Sequence, residues 1–212
     1  LRIIFMGTPD FAVGILDTIY NNNYEIAAVV TAPDKPAGRG QKLNQSAVKI
    51  YAQEKNLKVL QPTNLKSEDF LAELAALNAN LQIVVAFRML PKMVWQMPKL
   101  GTFNLHASLL PDYRGAAPIN WAIINGEEKT GVSTFFIDEK IDTGAIILKK
   151  ETDISKTETA GELHDRLMHL GAETVVETLK LIETNLVKTT IQPAEETKTA
   201  YKLNRDNCKI DF

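Results

Sequence analysis

The chain has 212 residues and a formal charge of −2, from 24 lysines and arginines against 26 aspartates and glutamates. With 45% apolar and 24% charged residues it can drive burial of a core, which excludes a disordered chain, and the near-neutral balance argues against broad nonspecific binding of nucleic acid. A single cysteine, Cys208, excludes a disulfide framework and a cysteine-rich zinc site, and no apolar run approaches the ~20 residues that span a bilayer. The expectation is a cytoplasmic monomer, not in the membrane, able to bury roughly 70% of its unfolded surface.

In chain order, residues 2–6 form a short run of Ile, Phe and Met that reads as a strand. It stops at Gly7-Thr8-Pro9-Asp10, where Asp10 is placed to cap a helix running to about Tyr20. Asn21-Asn22-Asn23 then makes a polar turn. Residues 25–31 and 81–87 repeat the near-continuous apolar character of the first run, as strands covered on both faces do. Between them, 46–55 and 67–78 read as helices, the second with Phe70, Leu71, Leu74 and Leu77 at helical spacing. The opening is therefore β-α-β-α-β, wound right-handed by the crossover rule. The fold class expected is α/β: a Rossmann-like, mostly parallel sheet with helices on both faces. The first turn lacks Gly-x-Gly-x-x-Gly, which argues against a dinucleotide site.

Residues 102–106 read as a strand, followed by an irregular stretch over 107–117 and a short helix to about Ile124. Two more strands are expected at 131–137 and 145–150, joined by a polar turn over 138–144. Residues 158–182 carry Leu163, Leu167, Leu170, Val175, Leu179 and Ile182 on one stripe, a helix expected to be interrupted at Gly171. His164 and His169 lie about 140° apart around that helix, so they form no metal pair and surface or packing roles are expected. From 183 to 212 the periodicity fades and the stretch reads as a linker or docking tail.

The chemistry concentrates at the end of the strand over 102–106. Residues two apart share a face, so Asn104 and His106 point one way while Phe103 and Leu105 point the other. Ligands of parallel α/β sheets bind just beyond the carboxyl ends of the strands. A carboxylate from the turn over 138–144 could swing beside His106, fix its tautomer and favour its charged form.

Asn104-Leu105-His106-Ala107-Ser108-Leu109-Leu110-Pro111, followed by Tyr113-Arg114-Gly115-Ala116-Ala117-Pro118-Ile119, resembles the signature of the folate-dependent formyltransferases. Asp142-Thr143-Gly144 resembles their second motif. The opening Phe5-Met6-Gly7-Thr8-Pro9-Asp10-Phe11-Ala12 and the loop Pro33-Asp34-Lys35-Pro36-Ala37-Gly38-Arg39-Gly40 are similar to the members of that family that act on tRNA. Ala200, Lys202, Leu203, Ile210, Asp211 and Phe212 resemble the family's linker into a second domain. The division expected is a catalytic domain over 1–182 and a linker over 183–212 leading towards a C-terminal domain. Arg88 stands where the family commonly has a glycine.

The resemblance implies that Asn104, His106 and Asp142 are catalytic and that Ser108, Leu109, Leu110 and Pro111 line the folate site. It implies 10-formyltetrahydrofolate as formyl donor, no metal, and the α-amino group of a charged initiator tRNA as acceptor. Elementary chemistry agrees with these roles. Attack on a formyl carbon places negative charge on its oxygen, for which an amide NH₂ and an imidazolium are suitable donors, and the attacking ammonium must give up a proton that a carboxylate can accept. Residues 33–49 hold Lys35, Arg39, Lys42 and Lys49 against Asp34 alone, a local +3, and Lys35, Arg39 and Lys42 are the candidate tRNA contacts. Acceptors such as a nucleotide sugar or glycinamide ribonucleotide would keep the triad without needing this loop. A noncatalytic binding module and a hydrolase of the formyl donor are the remaining readings.

Overall fold

Strand β1 (Arg2–Gly7) buries both of its faces. Ile3 and Phe5 enter one core, and Ile4 and Met6 enter a second on the opposite side, as the two-residue period of a strand demands. A strand covered on both faces needs helices on both faces. The computed structural model describes residues 1–37, 42–193 and 198–209.

After β1 come α1 (Asp10–Asn21), β2 (Glu25–Val30), the short pair β3 (Lys35–Ala37) and β4 (Lys42–Asn44), α2 (Ala47–Glu54), β5 (Val59–Leu60) and α3 (Glu68–Ala76). Next are β6 (Leu81–Val85), α4 (Lys92–Trp95), β7 (Thr102–His106), β8 (Arg114–Gly115) and α5 (Pro118–Ile124). The chain continues through β9 (Lys129–Phe136), β10 (Ile146–Asp153), α6 (Ala160–Glu183) and β11 (Thr199–Ala200).

Seven strands form the main sheet in the order β10-β9-β7-β6-β1-β2-β5. The strands from β7 to β5 are parallel, and β9 and β10 extend the β7 side in antiparallel fashion. The chain winds outward from β1 to β5, then returns to build β6 and β7 on the other side of β1. The order reverses between β1 and β6, and such reversals open a crevice at the carboxyl ends of the strands. Helices α1, α2 and α6 cover the Phe5 face, while α3 and α4 cover the Met6 face. Among the described residues no helix is long and apolar enough to cross a membrane.

The mostly parallel sheet with helices on both faces is the architecture expected from the chain order. Local expectations change in two places, at Asp10 and at Gly171. Asp10 is the first residue of α1, and Pro9 holds the cap position without a side-chain bond; an acid in the first turn still complements the helix dipole. Helix α6 starts at a capping box formed by Thr159 and Glu162 and runs unbroken through Gly171. A Cβ on Gly171 would lie 2.7 Å from Leu105 Cδ2, so this glycine allows close approach of helix and sheet and marks no break. The described parts of 183–212 pack back on the body: Thr190 bridges to Ile146 and β11 pairs in parallel with β8.

Leu167 is fully buried in the core under α6. Leu167→Ala should cost about 2–5 kcal/mol of unfolding free energy, read from urea denaturation, with the sheet's secondary structure retained below the transition.

Candidate active site

Strand β7 delivers two polar side chains to the crevice while Phe103 and Leu105 anchor it in the core. The crevice is a cavity of about 660 Å³, within the size range of small-molecule sites. Its walls come from the carboxyl ends of β1, β6 and β7, from the turn after β9 and from the start of α5, and include Asn104, His106 and Asp142 together. The strand's two-residue period and the order reversal thus bring the amide and imidazole to one opening, and the turn between β9 and β10 brings the carboxylate.

His106 has one ring nitrogen already committed. Its Nε2 lies 2.8 Å from the Tyr113 carbonyl. A carbonyl only accepts, so Nε2 carries a hydrogen and donates it. Nδ1 is left facing Asp142 Oδ2 at 3.8 Å, with both side chains about nine-tenths buried. That separation is too long for a direct hydrogen bond and leaves Nδ1 available to another group.

Asp142 sits in the left-handed region at φ +55°. Its Oδ2 accepts the Gly115 backbone N–H at 2.9 Å. Gly115 has φ +119°, and a Cβ there would lie 2.5 Å from the Ala200 carbonyl, so only glycine lets β8 approach β11 this closely. Gln192 donates to the carbonyls of Asp142 and Gly144 at 3.0 and 2.7 Å. Asn104 differs from both: its Oδ1 is buried with no hydrogen-bond partner among the described residues. Leaving such an atom unpaired costs about 1–3 kcal/mol, which a ligand donor can recover.

The residue that fixes His106 is itself clamped. Tyr113 N–H donates to the Lys198 carbonyl at 2.7 Å, Tyr113 O–H donates to Glu127, and Asn125 donates to the Tyr113 hydroxyl at 2.9 Å. Lys198 Nζ completes the group at 2.6 Å from Glu127 Oε1. Burial, then the bond to Glu127, pushes the Tyr113 hydroxyl above its usual pKa. Burial works to raise Glu127, but the bonds from Lys198 and Tyr113 outweigh it and hold the carboxyl below the usual range. The same bond raises Lys198.

The other expected site residues are distributed differently. Ser108, Leu109, Leu110 and Pro111 are not among the residues lining the cavity. Ser108 Oγ donates to the Asp112 carbonyl at 2.6 Å, Ser133 Oγ donates to the Ser108 carbonyl at 2.7 Å, and Leu110 packs with Phe135 and Ile146. Their bonds shape the loop behind His106. Lys35 is exposed on β3, Lys42 begins β4, and Arg39 lies outside the described residues. Lys49 pairs with Asp34 at 2.5 Å, and Gln61 donates to the second oxygen at 2.7 Å; these bonds hold the Asp34 carboxyl below its usual pKa. Lys49 is therefore spent on bracing the loop and adds little to its outward charge.

Two further wall residues are His164 and Arg88, of which only Arg88 stands out in the sequence, in place of the family's usual glycine. His164, expected in a surface or packing role, lines the cavity with Phe11, their rings edge-to-face at 5.3 Å. Arg88 also lines it and donates to the carbonyls of Pro62 and Thr63. Among the described residues no group of three or more His, Cys, Asp and Glu is arranged to hold a metal ion.

Fold and site define an open-sheet α/β enzyme whose polar groups converge where a carbonyl group can be held. The chain belongs to the formyl transferase family, whose model, described as Formyl transferase, matches residues 1–179. The methionyl-tRNA formyltransferase of Flavobacterium johnsoniae is 73% identical over 213 residues, covering 100% of this chain and 68% of that protein. Among solved structures, glycinamide ribonucleotide transformylase 1 from Symbiobacterium toebii superposes with a TM-score of 0.71 at 20% identity, over 91% of this chain and 94% of that one. An N-formyltransferase from Helicobacter canadensis, in complex with folinic acid and dTDP-3-aminofucose, gives 0.69 at 23% identity over 100% and 75%. At these identities the two structures establish the shared fold alone.

A carboxyl held below its ordinary pKa stabilises the fold above that ordinary value, and the contribution is lost as pH falls through the lowered one. Glu127→Gln should therefore flatten the acid side of the stability profile: below about pH 5 the wild type should lose more unfolding free energy than the variant. Urea titrations at neutral and acid pH measure the difference.

Proposed function

We propose that this chain transfers a formyl group from 10-formyltetrahydrofolate to the α-amino group of methionyl initiator tRNA, in the cytoplasm, for translation initiation. The observation that carries the mechanism is the convergence of Asn104, His106 and Asp142 on one cavity. The acceptor assignment is supported by the 73%-identical relative, which bears the name methionyl-tRNA formyltransferase.

The cavity fits the donor in two respects. Phe87, Leu90, Phe135 and Ile137 give it an apolar wall suited to a flat heteroaromatic ring, and the unpaired Asn104 Oδ1 is an acceptor waiting for a donor. The folate is accordingly placed against those side chains, with Ser108, Leu109, Leu110 and Pro111 supporting it from the loop. The donor supplies the formyl carbon.

Asn104 offers its NH₂ to the formyl oxygen, where negative charge develops on attack. His106, when protonated, offers Nδ1–H to the same oxygen, because its Nε2–H is already given to Tyr113. Donors fixed before the reaction avoid reorganisation when charge appears. Asp142 has Oδ2 engaged by the Gly115 N–H, which leaves Oδ1 to take the amine proton directly or through water. As the tetrahedral intermediate collapses, the carbonyl re-forms, the bond from the formyl carbon to N10 of the folate breaks, and that proton passes to the departing nitrogen. An α-amino group titrates near ~8, so much of it is protonated at neutral pH and this step is required. Lys35, Arg39 and Lys42 are assigned to the tRNA phosphates near the acceptor end.

The test is formyl transfer to charged initiator tRNA. Asn104→Ala and His106→Ala should each lower kcat by about 10²–10³-fold, and Asp142→Asn should also be strongly impaired. Arg39→Ala should raise KM for tRNA and leave folate binding unchanged. Faster formylation of glycinamide ribonucleotide or a nucleotide sugar than of charged tRNA by the wild type would overturn the acceptor assignment.

A further inference from the structure

Gln192 lies beyond the stretch matched by the family model, yet it is buried and commits its amide to the loops that carry the site. Its Nε2 donates to the Asp142 and Gly144 carbonyls at 3.0 and 2.7 Å. Its Oε1 accepts from Arg114, at 3.2 Å from Nε and 2.9 Å from Nη2. A guanidinium only donates and a carbonyl only accepts, so this amide fits one way round. Arg114 is itself buried and also donates to the Pro193 carbonyl at 3.0 Å. The next residue, Gly115, supplies the N–H accepted by Asp142 Oδ2. One side chain therefore ties together two pieces of chain around the carboxylate: the turn that carries Asp142, through its carbonyls, and the strand that orients its oxygen, through the Arg114 guanidinium.

We infer that Gln192 is a positioning residue for formyl transfer, holding the Asp142 turn at its working distance from His106. The inference rests on the reading of His106 and Asp142 as the reacting pair. Asp142 is kept at φ +55°, a region an aspartate can visit but does not prefer. The two N–H bonds from Gln192 fall on the carbonyls at the start and end of that three-residue stretch. Without them the turn relaxes towards an ordinary conformation, and the carboxylate leaves Nδ1 and the Gly115 N–H together. Misplacement of a reacting group by about 1 Å can cost on the order of 10²-fold in rate.

The discriminating variant is Gln192→Glu in the full chain. It keeps an oxygen for Arg114, so the segment stays docked, but turns a second oxygen towards the two carbonyls. The expected result is a fall in kcat of roughly 10–10²-fold with KM for folate and tRNA within about threefold, and a displaced pH dependence of kcat. Amide hydrogen exchange should quicken at Gly115, with the amides of β1 and β6 unchanged. Gln192→Ala should reproduce the Gly115 exchange effect and serves if Gln192→Glu folds poorly. Wild-type kcat together with wild-type Gly115 exchange would overturn the inference. So would faster exchange throughout the sheet in both variants, which would make Gln192 a general stability residue. Asp142→Asn is run alongside: full activity there sinks the reacting-pair reading, while exchange at Gly115 still judges whether Gln192 holds the turn.

Discussion

Everything at the site turns on one hydrogen bond, from His106 Nε2 to the Tyr113 carbonyl at 2.8 Å. An imidazole with two free nitrogens can present either to a substrate and can change tautomer between turnovers. Here one nitrogen is committed to backbone as a donor, so Nδ1, the atom that faces Asp142, is the one left open to the cavity. The division of labour is set by an oxygen that cannot be protonated at working pH and belongs to a main chain held at both ends. Tyr113 N–H reaches Lys198 and its hydroxyl reaches Glu127, so the carbonyl has little freedom to move.

The edge strands explain why the loop after β7 can be so short and still so ordered. His106 is in register with Ser133 on β9. Ser133, fully buried, donates to the Ser108 carbonyl and accepts the Leu110 N–H at 3.1 Å. A parallel neighbour would carry its chain away through a crossover helix at this level. The antiparallel β9 instead runs back beneath the loop and offers a hydroxyl where two backbone groups would otherwise be buried unpaired, a cost of about 1–3 kcal/mol each. Its far end continues into the turn of Asp142. The same strand thus braces the loop behind the imidazole and delivers the carboxylate in front of it.

What was legible in the sequence divides along the range of the interactions. Strands β1, β6 and β7 announce themselves because covered strands must be apolar, and the shared face of Asn104 and His106 follows from a period of two. Gly171 misled because a helical glycine reads as a weak point, whereas here it is a contact point against Leu105. Gln192 and the Tyr113 carbonyl carry no local signature. Gln192 bonds to groups 50 and 78 residues away, and main-chain atoms are the same at every position, so no pattern of side chains could mark them. For Ser108, Leu109, Leu110 and Pro111 the sequence shows adjacency to His106 in the chain, which does not by itself say which side of the loop faces the cavity.

Backbone strain locates the same site by an independent route. Seven non-glycine residues have positive φ among the described residues, and five of them are asparagine or aspartate, types whose short polar side chains tolerate the left-handed region. The remaining two are Ala86 and Tyr113. Ala86 lines the cavity, and Tyr113 holds the imidazole. A left-handed residue of this kind costs on the order of 1–3 kcal/mol and survives only where its neighbours insist on it. The fold tolerates that cost at two points around one opening, while its other left-handed positions fall to residues that suit them. At this opening Asp142 Oδ2 stands 3.8 Å from His106 Nδ1, too far for a direct hydrogen bond, so neither group satisfies the other.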